Sequence, residues 1–94
     1  MVVIYELIQA ESVPREDFFK VMRQARQIAL TIEGVYDLAL YQIEQAGVWR
    51  CTVEMDGRES WEMPRTDRRF QEIWAGLEAQ GIGIVLNDPM ERRI

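Results

Sequence analysis

Ninety-four residues, 48% apolar and 29% charged, describe one ordered domain, because a chain this short cannot divide its buried surface between two cores. The net charge of −5 resides in residues 1–63, where eleven acidic residues meet six basic ones, while residues 64–94 balance at five each; nucleic-acid binding, which needs clustered Lys and Arg, is disfavoured. With no histidine and one cysteine, Cys51, the chain has no histidine triad, no imidazole ligand for a metal or haem, no cysteine-rich cluster site and no internal disulfide.

The first predicted element is a strand, Val2 to Ile8, apolar on both faces except at Glu6. Pro14 suits the first turn of a helix, with Ser12 or Val13 as cap and Glu16 and Asp17 at the positive end of the dipole. Phe18, Val21, Met22, Ala25, Ile28, Ala29 and Ile32 then recur at three- and four-residue steps, the mark of an amphipathic helix, and Gly34 is expected to stop it. Val35 to Glu44 alternates loosely, with Tyr36, Leu38 and Leu40 on one side and Val35, Ala39, Tyr41 and Ile43 on the other. After Gln45-Ala46-Gly47, Val48 to Met55 alternates sharply, with Trp49, Cys51, Val53 and Met55 on one face, so the two strands form a hairpin.

Asp56-Gly57 leaves two readings. It is a hairpin signal that would make Arg58 to Met63 a further strand. Alternatively it is a turn into an irregular or helical lead interrupted near Pro64, the reading we prefer. Thr66 caps the next helix, whose stripe is Phe70, Ile73, Trp74 and Leu77, and Gly81 closes it. Ile82, Ile84, Val85 and Leu86 form the last strand. Residues 90–94 make a tail.

This order predicts an α+β fold, a ferredoxin-like βαββαβ unit of residues 1–94 with an antiparallel sheet and two helices on one face. The long first helix ending in Gly34-Val35, the hairpin, and the stretch Trp61, Pro64, Phe70, Trp74, Leu77 and Gly81 resemble the dimeric α+β-barrel superfamily, of which the antibiotic-biosynthesis-monooxygenase-like proteins are a branch. The resemblance implies a homodimer joined through the open sheet face and, in many members, a pocket between sheet and helices. The missing histidine separates the chain from haem-degrading and chlorite-decomposing relatives, which that resemblance would tie to an axial histidine.

No cofactor and no metal site is expected, since no loop has calcium-ligand spacing. Gly81-Ile-Gly83 is half a nucleotide fingerprint, but it runs from helix to strand, opposite to a phosphate loop. Cys51 reads as a buried, inert thiol. Aromatic residues with nearby polar groups are what a small apolar ligand needs, and Tyr41, Trp49, Trp61 and Arg65 are the candidate ligand-binding set, with Trp61 and Arg65 in the interrupted segment. Core packing accounts for the same aromatics.

The N-terminus lacks a basic leader region, and apolar runs of about five residues fall far short of a membrane span, so a soluble cytoplasmic protein is expected. Three functional readings follow. One is a small homodimeric α+β-barrel protein of undefined role, with an apolar or aromatic small molecule as its candidate ligand, another a cofactor-independent monooxygenase-like enzyme, and the third a regulatory ligand-binding module.

Overall fold

Alternating burial governs the sheet. In the computed structural model, which describes residues 1–94 with the side chain of Met63 excepted, Val3, Tyr5 and Leu7 of β1 (Val2–Ile8) are buried, while Val2, Ile4, Glu6 and Ile8 on the other face are half-exposed. β3 (Val48–Met55) lies antiparallel beside β1, with Tyr5 opposite Cys51 and Leu7 opposite Trp49. β2 (Val35–Gln42) flanks β3, and β4 (Gly83–Leu86) flanks β1, giving the antiparallel order β2-β3-β1-β4. This is the ferredoxin-like order.

A register shift between Val35 and Asp37 breaks the β2 alternation. The extra residue, Tyr36, bulges, so Val35 opposite Met55 joins the inner face with Leu38, and Tyr36 is exposed. The sequence alternation had set Val35 apart from Leu38 and grouped Tyr36 with it. A bulge is a ladder defect that period-two reasoning does not register.

Three helices, rather than two, cover the inner face. α1 (Arg15–Ala29) takes Pro14 itself as N-cap, because residues Ala10–Ser12 form a 3-10 turn in which the Ser12 N–H bonds to the Gln9 carbonyl. It ends at Ala29, before Gly34, as the Thr31 hydroxyl bonds to the Ile28 carbonyl and Ile32 folds back onto the Ala29 carbonyl. Gly34 serves a different purpose. At φ +83° its backbone presses against the Ser60 hydroxyl and the Asp56 carboxylate, which are hydrogen-bonded to each other, and a Cβ would collide with both.

Asp56-Gly57 turns into α2 (Arg58–Thr66), so the helical reading of this segment is the correct one, and Pro64 lies inside the helix near its end. Pro64 has no N–H to return to Ser60, and the helix stops two residues later. Asp67, not Thr66, caps α3 (Arg68–Ala79), accepting from the Arg69 N–H at 2.8 Å. α3 closes with Gly81 at φ +93°, the Gly81 N–H bonding to the Glu78 carbonyl and the Ile82 N–H to that of Leu77, while Ile82 and Leu77 are both buried. That is a Schellman motif with its hydrophobic contact.

One core joins both layers. Phe18, Met22, Ala25 and Ala29 of α1, Trp61 of α2, and Phe70 and Leu77 of α3 pack on Val3, Tyr5, Leu7, Leu38, Cys51, Val53 and Met55 of the sheet. The outer face has no covering element. It carries Val2, Ile4, Ile8, Ala39, Tyr41 and Val85, and a Glu6–Arg50 ion pair at 3.5 Å crosses from β1 to β3.

Candidate functional site

The four residues nominated from the sequence go to three places. Tyr41, opposite Arg50, is on the uncovered sheet face and 56% exposed. Trp49 lies on the helix face at the hairpin end, and Trp61 and Arg65 sit one turn apart in α2. Trp49 and Tyr41 therefore cannot touch one ligand within a single chain. Trp61 and Arg65 do come together, the guanidinium lying over the indole at 5.7 Å.

The Trp61 group is mostly core. Tyr5 and Trp74 stack at 4.8 Å, Phe70 stacks on Trp74 at 6.1 Å, and Tyr5 meets Trp61 edge-on at 6.2 Å. Trp61 is only 4% exposed, so it packs more than it lines. Outside it lies a shallow recess of about 260 Å³ rimmed by Arg58, Arg65, Leu86 and Asp88. Burial raises the Tyr5 phenol well above its ordinary value; neighbouring Cys51 adds to the rise, and Arg65 opposes it. Burial likewise pushes the Cys51 thiol up to about 12. Neither group is ionised near neutral pH, which suits packing rather than acid–base exchange.

The second aromatic group opens to solvent. Trp49 receives Phe18 at 5.8 Å and Phe19 at 5.5 Å, both edge-on, and the Arg15 guanidinium lies over its ring at 5.9 Å. It walls a cleft of about 490 Å³ whose polar groups are Glu11, Arg15 and Gln42 and whose apolar lining includes Pro14 and Phe18. That volume is within the range of small-molecule sites, roughly 300–1,000 Å³.

Local backbone geometry builds this cleft. Gln9 adopts a left-handed conformation, φ 62° and ψ 39°, which turns the chain out of β1, and the Ala10 N–H then bonds to the Gly47 carbonyl at 3.1 Å. The β1–α1 connection is thereby tied to the hairpin. Gly47, at φ +76°, leaves room for the Glu11 carboxylate, where any Cβ would clash. An uncommon positive φ on a non-glycine residue beside a cleft is the kind of strain found at binding sites.

Glu11, Arg15 and Gln42 were not among the sequence candidates. Arg15, in the first turn of a helix that follows a strand, was the one readable signal. Its partner is on β3, and only the sheet order brings them together. Among the described residues no three His, Cys, Asp or Glu side chains converge as a metal site, and no helix is long and apolar enough to cross a membrane.

No family profile and no curated protein matches the chain. Solved structures do. Rv0793 from Mycobacterium tuberculosis aligns over 99% of this chain and 98% of its own at a TM-score of 0.70 and 10% identity. A Deinococcus radiodurans protein, provisionally named an antibiotic biosynthesis monooxygenase, aligns over 98% and 95% with a TM-score of 0.72 and 13% identity. A further structure named antibiotic biosynthesis monooxygenase aligns over 97% and 100% at 0.57 and 14%. At such identities likeness carries the fold and not the activity. The chain has the α+β fold of the antibiotic-biosynthesis-monooxygenase-like proteins.

Proposed function

We propose that this chain is a homodimeric protein that binds a small aromatic or apolar molecule in the cleft walled by Trp49. One observation carries the reading: Trp49 and Phe18 line an open volume of about 490 Å³ with Glu11, Arg15 and Gln42 at its edge. A flat apolar body gains from leaving water against such a wall, and the polar groups orient it. The dimer is supported by the uncovered sheet face, where Val2, Ile4, Ile8, Ala39, Tyr41 and Val85 surround a compensated Glu6–Arg50 pair.

Titration of the purified protein with a panel of planar aromatics, followed by isothermal calorimetry, tests the ligand reading. Trp49→Phe keeps an aromatic side chain in the packing and should weaken binding by about tenfold, near 1.4 kcal/mol, with the fold retained by circular dichroism. Absence of saturable binding heat, or equal affinity in the variant, refutes it.

The names of the structural neighbours favour a second reading, cofactor-independent oxygenation of an electron-rich aromatic bound in the same cleft. There Arg15 is the nearest cation for a developing oxyanion. Oxygen uptake that depends on an aromatic bound in the cleft and falls in Arg15→Gln separates turnover from simple binding.

A further inference from the structure

A smaller recess opens on the other side of Phe19. Where α1 passes over the β2 edge, Phe19, Met22, Leu38 and Leu40 line an open recess of about 200 Å³, and among the described residues the only charged groups lining it are Arg23 and Arg26. Met22 and Leu38 are 3% and 2% exposed and form its floor, while Phe19 and Leu40 are half-buried walls. The two guanidiniums are not equivalent. Arg26 donates to Asp37 at 3.1 Å and is neutralised, whereas among the described residues Arg23 has no carboxylate within ion-pairing distance. In a chain of net charge −5, an apolar recess whose mouth holds one uncompensated cation selects its ligand by sign.

We propose that this recess binds a small apolar carboxylic acid, an aryl or short alkyl acid, with its body between Phe19, Met22, Leu38 and Leu40 and its carboxylate on Arg23. The planar guanidinium fork matches a carboxylate bidentately, and such charge-assisted hydrogen bonds are stronger than neutral ones. A single uncompensated guanidinium matches a single negative charge better than a dianionic phosphate. The floor offers no hydrogen-bond partner, so the buried end of the ligand must be apolar. Phe19 lines this recess and stands edge-on to Trp49, which lines the larger cleft, so the two sites are distinct volumes with different linings.

The experiment uses the whole purified chain, methyl-labelled at Met and Leu and isotope-labelled at the Trp indole nitrogens, titrated with 2-naphthoate and with its neutral isostere 2-naphthalenemethanol. 2-Naphthoate should shift the Met22, Leu38 and Leu40 methyl resonances saturably. The alcohol should bind about threefold or more weakly, Arg23→Gln should weaken the acid about fivefold, and added salt should weaken it as well. Arg23 is exposed, so this variant folds as the parent does. The proposal is overturned if the recess methyls do not shift, or if acid and alcohol bind alike, or if Arg23→Gln binds unchanged. Shifts of the Trp49 indole alone would also overturn it while leaving the aromatic-cleft reading in place. Saturable shifts at the recess with no aromatic binding near Trp49 would do the reverse.

Discussion

Cys51 illustrates how a side chain acquires its chemistry from where it is packed. Fully buried on β3 between Tyr5 of β1 and Leu40 of β2, its thiol is pushed from an ordinary 9.0 to about 12 by loss of solvent, so the folded protein holds the proton where the unfolded chain releases it. The sign follows: above pH 9 the unfolded state binds fewer protons, and stability falls as pH rises toward 12. Tyr5, also raised by burial, adds to the same alkaline loss at higher pH. Cys51→Ala removes one of the two groups. At pH 7 it should cost less than about 2 kcal/mol by urea denaturation, because only one sulfur atom leaves the core. Its deficit relative to the parent should shrink by pH 10.5. A constant deficit would mean that the thiol titrates normally in the fold.

Glycine has opposite consequences at two positions, one in a helix and one in a connection. Gly76 lies in the middle of α3, where an added Cβ would meet nothing within 4 Å, and glycine in a helix interior costs about 1 kcal/mol relative to alanine. Gly76→Ala should therefore stabilise the protein by up to about that amount. Gly34 combines φ +83° with contact against Ser60 and Asp56, so Gly34→Ala should destabilise it by more than about 1 kcal/mol. Thermal denaturation of the pair checks both signs. Gly76 borders a groove of about 510 Å³ that Val21 and Ile28 of α1 and Ile73 of α3 also line, and a loss at Gly76 would mean that this groove is filled in solution. The same residue type thus has a propensity cost in one element and a steric necessity in another, and only the surroundings distinguish them.

At the scale of the molecule the uncovered sheet face governs behaviour. Three of its four β1 positions, Val2, Ile4 and Ile8, are apolar, yet they are half-exposed in the single chain. The proposed dimer buries them. Sedimentation equilibrium at micromolar concentration should give twice the 11.1 kDa chain mass. Ile4→Glu, which sets a charge in the middle of that face, should give a folded monomer with unchanged helical content. A parent protein that sediments as a monomer would remove the dimer, and with it the account of the apolar outer face.

Local periodicity determined the secondary structure of most of the chain. β3 was legible face by face, since strict alternation reports which side chains face a core, whereas β1, apolar on both faces, was legible only in its bounds; the Gly81 stop was legible because its backbone conformation is one that glycine adopts without strain. Trp61 and Arg65 were grouped only as members of one interrupted segment, and it is the helix α2 that sets them one turn apart. The bulge at Tyr36, the end of α1 before Gly34 and the cap at Asp67 were not legible. The bulge depends on the pairing of β2 with β3, and the helix end and the cap turn on local hydrogen bonds that Thr31 and Asp67 make in place of the neighbouring candidates. The cleft itself was decided only in three dimensions: Arg15 follows a strand, Gln42 ends one and Trp49 begins another, and no spacing along the chain relates them. They meet because the sheet order sets β3 beside β1 and the left-handed turn at Gln9 ties the β1–α1 connection to the hairpin. Periodicity tells a residue which way to face, but which residues it faces is a property of strand order and register, and these are set by the whole core at once.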